Sequence, residues 1–167
     1  MGNPGRSDEH RDQEVLMIRA TAGVVSGFIV GFAISIGLFM AMWFGLGPDA
    51  ILEKGLFKGN MILNIGAPLF TVIGGLVGGW LCARVSRSRR AVIACAAVLF
   101  LVGAWGAYDV LQKPEPGPRA PGLTAKQALD KGREPTWFAL INPLLGAGSI
   151  LVGGMCLCRC GCFRKTS

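Results

Sequence analysis

Apolar residues in this chain come in long unbroken runs rather than in the spaced patterns of amphipathic helices or strands. Ala20 to Pro48 carries no charged residue, nor does Gly59 to Ala83, nor Pro135 to Cys158. Each run exceeds the roughly 20 residues that a helix needs to cross about 30 Å of hydrocarbon. A fourth run, Ala91 to Tyr108, is nearer the lower limit of about 17. It lengthens through Val110 and Leu111 if Asp109 lies at the interface or faces a neighbouring helix. The pattern predicts an all-α membrane protein, a four-helix transmembrane bundle with spans at about 20–45, 60–83, 91–111 and 136–158. Such helices satisfy every backbone hydrogen bond internally, as hydrocarbon requires.

Between the runs the composition changes abruptly. Residues 1–17 are polar and read as a disordered cytoplasmic tail, with a helix starting slightly before the membrane in DQEVLMIRA. The first run is too long for the roughly 7–15 apolar residues of a cleaved signal and is expected to be a retained span. Arg6 occupies the position where a myristoylation motif wants Ser or Thr, and the terminal RKTS is not a prenylation box. The connection GPDAILEKGLFKGN suits one interfacial turn, with Ile51, Leu52 and Phe57 dipping toward lipid. The longer connection, 112–135, opens with Pro114, Pro116, Pro118 and Pro121 and should be extended. Thr124 and Gln127 then have capping-box spacing, so a short helix from about Ala125 to Lys131 stops at Gly132. Pro135 begins the last span where proline costs least. Residues 159–167 form a cytoplasmic Cys/basic tail.

Inside the spans the small residues carry the packing information. Lipid removes the hydrophobic drive between helices, so close backbone approach becomes the main adhesive. Gly23, Gly27 and Gly31 recur at four-residue steps on one face, and span two carries Gly74, Gly75, Gly78 and Gly79. These are seams for a contact between spans one and two, or for a homo-oligomer. Pro68 and Pro143 each free a backbone carbonyl and bend their helices. Asn64 and Asn142, close by, could satisfy those carbonyls or pair with each other; with Asp109 they could instead line a polar cavity.

Charge supplies an orientation. Only 16% of residues are charged, against about a quarter in a soluble domain. The turn ARVSRSRR holds Arg84, Arg87, Arg89 and Arg90 and no acid, whereas the connections on the other side mix Lys and Arg with Asp49, Glu53, Glu115, Asp130 and Glu134. Short basic loops stay in the cytoplasm, which places both termini inside. Trp43, Trp105 with Tyr108, and Trp137 fall toward the outer interface and Trp80 toward the inner one. The net charge of +7 then reflects this bias and anionic headgroups, and calls for no nucleic-acid partner.

Several of these features together resemble a broad, uncharacterised group of bacterial four-span membrane proteins. They are the glycine-rich first span, the GGLVGGWLCARV end of span two, the basic turn, and REPTWF leading into INPLLGAGSILVGG. The resemblance covers about residues 20–155. It implies the fold and a bacterial inner membrane, and no activity.

Chemistry is sparse. The one histidine, His10, lies in the tail, which removes histidine dyads and HExxH metal sites; no GxSxG elbow, phosphate loop or dinucleotide fingerprint occurs. Gly146-Ala-Gly148 lies inside a span and reads as packing. Asp109 is the one carboxylate that could couple transport to protons, and its plainer role is to snorkel to the interface. Cys156, Cys158, Cys160 and Cys162, in CLCRCGC, are candidate ligands for a soft metal such as Cu(I) or zinc. The C-x-C spacing departs from the wider spacing of structural zinc sites, so inert thiols and modified thiols stay open. Cys82 and Cys95 read as packing residues. No enzyme, and no cofactor, is expected. The expected partners are the lipid bilayer and a homo-oligomer or larger membrane complex. A non-enzymatic structural, assembly or accessory component is the leading expectation, with a small oligomeric transporter or channel, or a thiol/metal-binding anchor, as alternatives.

Overall fold

The computed structural model describes residues 5–53, 55–114, 118, 125–131 and 135–159. Six helices follow one another: α1 (Gly5–Leu46), α2 (Pro48–Ile51), α3 (Met61–Ser86), α4 (Arg89–Gln112), α5 (Ala125–Lys131) and α6 (Thr136–Arg159). Four of them, α1, α3, α4 and α6, are long and apolar enough to cross a membrane. Around the bundle the order is α1, α3, α6, α4. α1 packs along α3, α3 along α6 and α6 along α4, while α1 and α4 touch only sparsely.

α1 departs from the sequence expectation at its start. Residues 1–17 are expected to be disordered, yet the helix already runs from Gly5. Once a span has paid for nucleation, each further residue costs little, and Glu9, Gln13, Glu14, Leu16 and Met17 are good helix formers. With 42 residues, α1 is about 63 Å long, twice the hydrocarbon thickness. Its polar first turns therefore extend past the apolar zone.

Glycine sets how the helices meet. Among the described residues of α1 only Gly23, Gly27, Gly31 and Trp43 are buried, so the helix rests on the bundle by a narrow edge. That edge lies on α3. A Cβ at Gly27 would sit 2.7 Å from the Gly78 carbonyl oxygen, and one at Gly31 2.7 Å from that of Gly74. Gly23 meets Ser86 further along the same seam. The two glycine pairs of α3 divide their work: Gly74 and Gly78 face α1, while Gly75 meets Ser149 and Gly79 meets Ile150 on α6. α6 returns the contact through Gly153, against the Leu76 backbone, and reaches α4 through Gly154, against Val92.

At the α3–α4 end the connection is a tight turn. Arg87 takes the left-handed conformation (φ 49°) and its N–H bonds the Ala83 carbonyl at 3.0 Å, closing α3. Ser86 donates to the Cys82 carbonyl at 2.7 Å and accepts from the Ser88 N–H at 3.3 Å. Arg84 lies over the Trp80 ring, 5.2 Å from its centroid.

At the opposite end the connection between α1 and α3 folds inward. Ile51, Leu52 and Phe57, expected to dip toward lipid, are buried instead. Leu52 pairs with Gly59 in an isolated antiparallel bridge, and Gly55 supplies the positive φ (75°) that lets the chain reverse. Ile51 and Leu52 then join Trp43, Leu63, Phe138 and the α5 residue Ala128 in one apolar cluster. Trp43, assigned from sequence to the membrane interface, belongs to this cluster and is 2% exposed. The reason is that α2 and α5 pack over this end of the bundle, and the Trp43 ring is enclosed with Ile51, Leu52 and Ala128.

Asn60 holds this roof. Its Oδ1 accepts from the N–H groups of Ile62 (2.9 Å) and Leu63 (3.4 Å), capping α3, and its Nδ2 donates to the Ala50 carbonyl at 2.5 Å. Asn60→Ala is expected to cost about 1–2 kcal/mol, read as a lower melting temperature in detergent. Asn60→Asp keeps the cap and loses the tie to Ala50, so its melting temperature should fall between the two. Equal melting for all three proteins would remove Asn60 from this role.

Candidate functional site: a lateral cavity between α1 and α4

Because α1 touches α3 by its glycine edge and leans little on α4, a gap remains on the α4 side. α1 and α4 meet near the turn end, where the Cys95 thiol lies 3.8 Å from the Val24 carbonyl. Beyond that point residues of α1, α3, α4 and α6 line an open cavity of about 280 Å³. Its floor is the glycine backbone of Gly74, Gly75 and Gly78, where the missing side chains leave room. Phe28, Phe32 and Phe39 of α1 and Phe70 of α3 line it on one side, and Leu99 and Val102 of α4 on the other. Phe28 and Phe32 stack at 5.9 Å. The mouth opens sideways: Phe32, Ile36 and Val102 line the cavity and are also exposed on the bundle surface.

Its polar groups differ in how they are engaged. The Ser35 hydroxyl donates to the Gly31 carbonyl at 3.0 Å and lies 3.2 Å from the Phe70 carbonyl across the seam. Thr71 donates to the Ala67 carbonyl at 3.2 Å. The Asn142 Oδ1 is buried without a hydrogen-bond partner, and Asn142 lines the cavity. A mostly apolar pocket with one or two placed polar groups is the usual form of a small-molecule site. An apolar cavity of about 150 Å³ already holds a benzene molecule, so this one accommodates a longer stretch of hydrocarbon.

The three residues proposed from sequence for a polar cavity are not gathered around it. Asn142 lines it. Asn64 sits under the roof, where its Nδ2 donates to the Gly59 carbonyl at 3.2 Å while its Oδ1 is buried without a partner. Asp109 lies exposed near the end of α4, paired with Lys113 one turn on at 2.5 Å. The two asparagines form no hydrogen bond with each other.

The cysteines fall into two groups. Cys82 and Cys95 are fully buried at the α3–α4 seam, in the cluster with Ala83, Val92, Ala96 and Ile150. Cys156 is exposed on α6. The side chain of Cys158, and Cys160 and Cys162 altogether, lie outside the described residues, as do Thr124 and most of the proline-rich connection. Among the described residues no group of three or more His, Cys, Asp or Glu side chains could hold a metal ion.

Sequence reasoning placed the glycines but missed the cavity beside them. The signal was present: Phe28, Phe32, Ser35 and Phe39 follow helical spacing on α1. A phenylalanine stripe on a membrane span reads as a lipid-facing surface, and nothing in one helix shows that its neighbour stands off.

No family model matches the chain, and neither a curated protein nor a solved structure matches it. The class is therefore defined by the fold: this is a multi-pass integral membrane protein built as an all-α four-helix bundle.

Proposed function

We propose that the protein is a non-enzymatic accessory component of a bacterial inner membrane that holds an apolar, membrane-borne guest between α1 and α4. Both termini lie in the cytoplasm in this reading, and the roofed end faces outward. The observation that carries it is the sideways-open cavity of about 280 Å³. A molecule dissolved in the bilayer reaches such a mouth without entering water. The orientation is supported by the arginines at 84, 87, 89 and 90 around the α3–α4 turn, against Asp49, Glu53 and Asp109 toward the other end. The absence of an enzyme role is supported by the sequence, whose one histidine lies near the N-terminus.

Gly23, Gly27 and Gly31 of α1 and Gly74, Gly75, Gly78 and Gly79 of α3 are occupied within the bundle, which lowers their weight as a homo-oligomer surface. A proton-coupled transporter has less support, because Asp109 is exposed and ion-paired away from the cavity. Native mass spectrometry of the protein released from mild detergent tests the proposal. The expected spectrum contains a bound species with the mass of a lipid or other apolar membrane molecule, surviving activation that strips annular lipid. A spectrum of bare protein under those conditions would count against it.

A further inference from the structure

We infer that the groove between α4 and α6, at the end of the bundle that holds the α3–α4 turn, is a site for one anionic phospholipid. Arg89 holds the headgroup phosphate, and the upper part of an acyl chain lies along the groove. The site is separate from the cavity between α1 and α4 and goes beyond the function proposed for it.

The groove has a volume of about 230 Å³ and is lined by Arg89, Val92 and Ile93 of α4 and by Leu151, Gly154 and Met155 of α6. Gly154 lies so close to Val92 that an added Cβ would collide with it, and position 154 therefore puts no side chain into the space. Ile93 and Met155 line the groove and are also exposed on the bundle surface, so it opens directly to lipid. The lining residues span about one turn of each helix, some 6 Å along the axis. Five of the six are apolar and one is a cation. A hydrocarbon would leave the arginine unmatched, and a water-soluble anion would leave the wall unmatched. An amphiphile with a negative head satisfies both.

Arg89 is available for that role. It is exposed, and among the described residues it makes no ion pair. Arg84, Arg87 and Arg90 do not line the groove, and Arg84 lies over the Trp80 ring. The planar guanidinium fork matches two phosphate oxygens at once. Selection for net charge comes from the surroundings. No Asp or Glu occurs from Ala83 to Tyr108 or from Pro135 to Ser167, so the sequence on both sides of the groove is free of acids. A choline headgroup would bring its own ammonium among these arginines, whereas a glycerol headgroup brings no positive charge. Being open along the surface, the groove exchanges its lipid with the bilayer and does not retain it through purification.

The test uses the full chain in phosphatidylcholine nanodiscs doped with a photoreactive lipid. Phosphatidylglycerol and phosphatidylcholine probes are compared at equal mole fraction, each with the same diazirine in the upper part of an acyl chain. Adducts at Ile93 and Met155 are expected about fivefold more often with the glycerol probe, the size of one arginine's attraction for anionic lipid. Val85, exposed near the same end on α3, should show no such preference. Arg89→Gln should bring the two probes level at the groove, and Arg90→Gln should leave the preference in place. Equal labelling of the groove by both probes in the wild type would overturn the inference. So would a preference as strong at Val85, or one lost equally in the two variants, because either would mean a diffuse attraction to the basic turn. The wild-type comparison of Ile93 with Val85 decides the matter even if a variant fails to assemble.

Discussion

Gly78→Leu is expected to separate α1 from α3 and destabilise the bundle by about 3 kcal/mol or more, the upper range for forcing side-chain volume into a packed contact. The reason lies in what the new side chain meets. A Cβ at Gly78 would lie 2.6 Å from the Gly27 carbonyl oxygen and 3.2 Å from the Gly31 Cα. Both obstacles are backbone of α1, and neither can rotate away. Relief requires the helices to move apart along the seam from Gly23 to Gly31, which gives up the close approach that holds membrane helices together. Gly37→Ala, on α1 away from the seam, is the control. Nothing lies within 4 Å of a Cβ there, so the change should be neutral or stabilising by up to about 1 kcal/mol from helix propensity. Unfolding in sodium dodecyl sulfate, followed by circular dichroism, reads both. Equal effects from the two substitutions would show that glycine content, and not the α1–α3 seam, sets stability.

Val102→Trp is expected to close the cavity from outside and reduce retained guest about tenfold, equivalent to roughly 1.4 kcal/mol of binding. Val102 lines the mouth and is 51% exposed, so an indole there projects over the opening without displacing a packed side chain. The bundle should melt within about 0.5 kcal/mol of the wild type, as surface substitutions usually do. Loss of guest at unchanged stability separates a closed mouth from a damaged fold. Leu101→Trp, one residue away on an exposed surface outside the cavity lining, should retain guest like the wild type. Guest retained by Val102→Trp would mean that bound lipid sits elsewhere on the protein.

The four spans were legible because hydrocarbon imposes one requirement on every residue of a run, and runs free of charge announce it. The short helix at Ala125–Lys131 was legible for a local reason as well, since the turn chemistry around it is strong. Features that depend on two elements at once were not. Ile51 and Leu52 look like lipid-dipping residues in one dimension, and only the packing of α5 against α2 encloses them with Trp43 and Ala128. Trp43 moves from interface to interior for the same cause. The paired glycines of α3 could be seen, but not that one member of each pair serves α1 and the other α6. That division follows from the 100° between successive residues on a helix with neighbours on two sides. The cavity was hidden most completely, because it is made of what α1 and α4 fail to touch.

The central claim is that a membrane-borne molecule occupies the space between α1 and α4. Photo-crosslinking in nanodiscs with a diazirine-bearing acyl lipid, followed by peptide mapping, tests it most directly. Adducts should concentrate on the cavity wall at Phe32, Leu99 and Val102, and should vanish from those positions in Val102→Trp while labelling of the outer surface continues. Adducts spread over the outward faces at Ile29, Leu101 and Leu144, with the wall residues no more labelled than these, would contradict it.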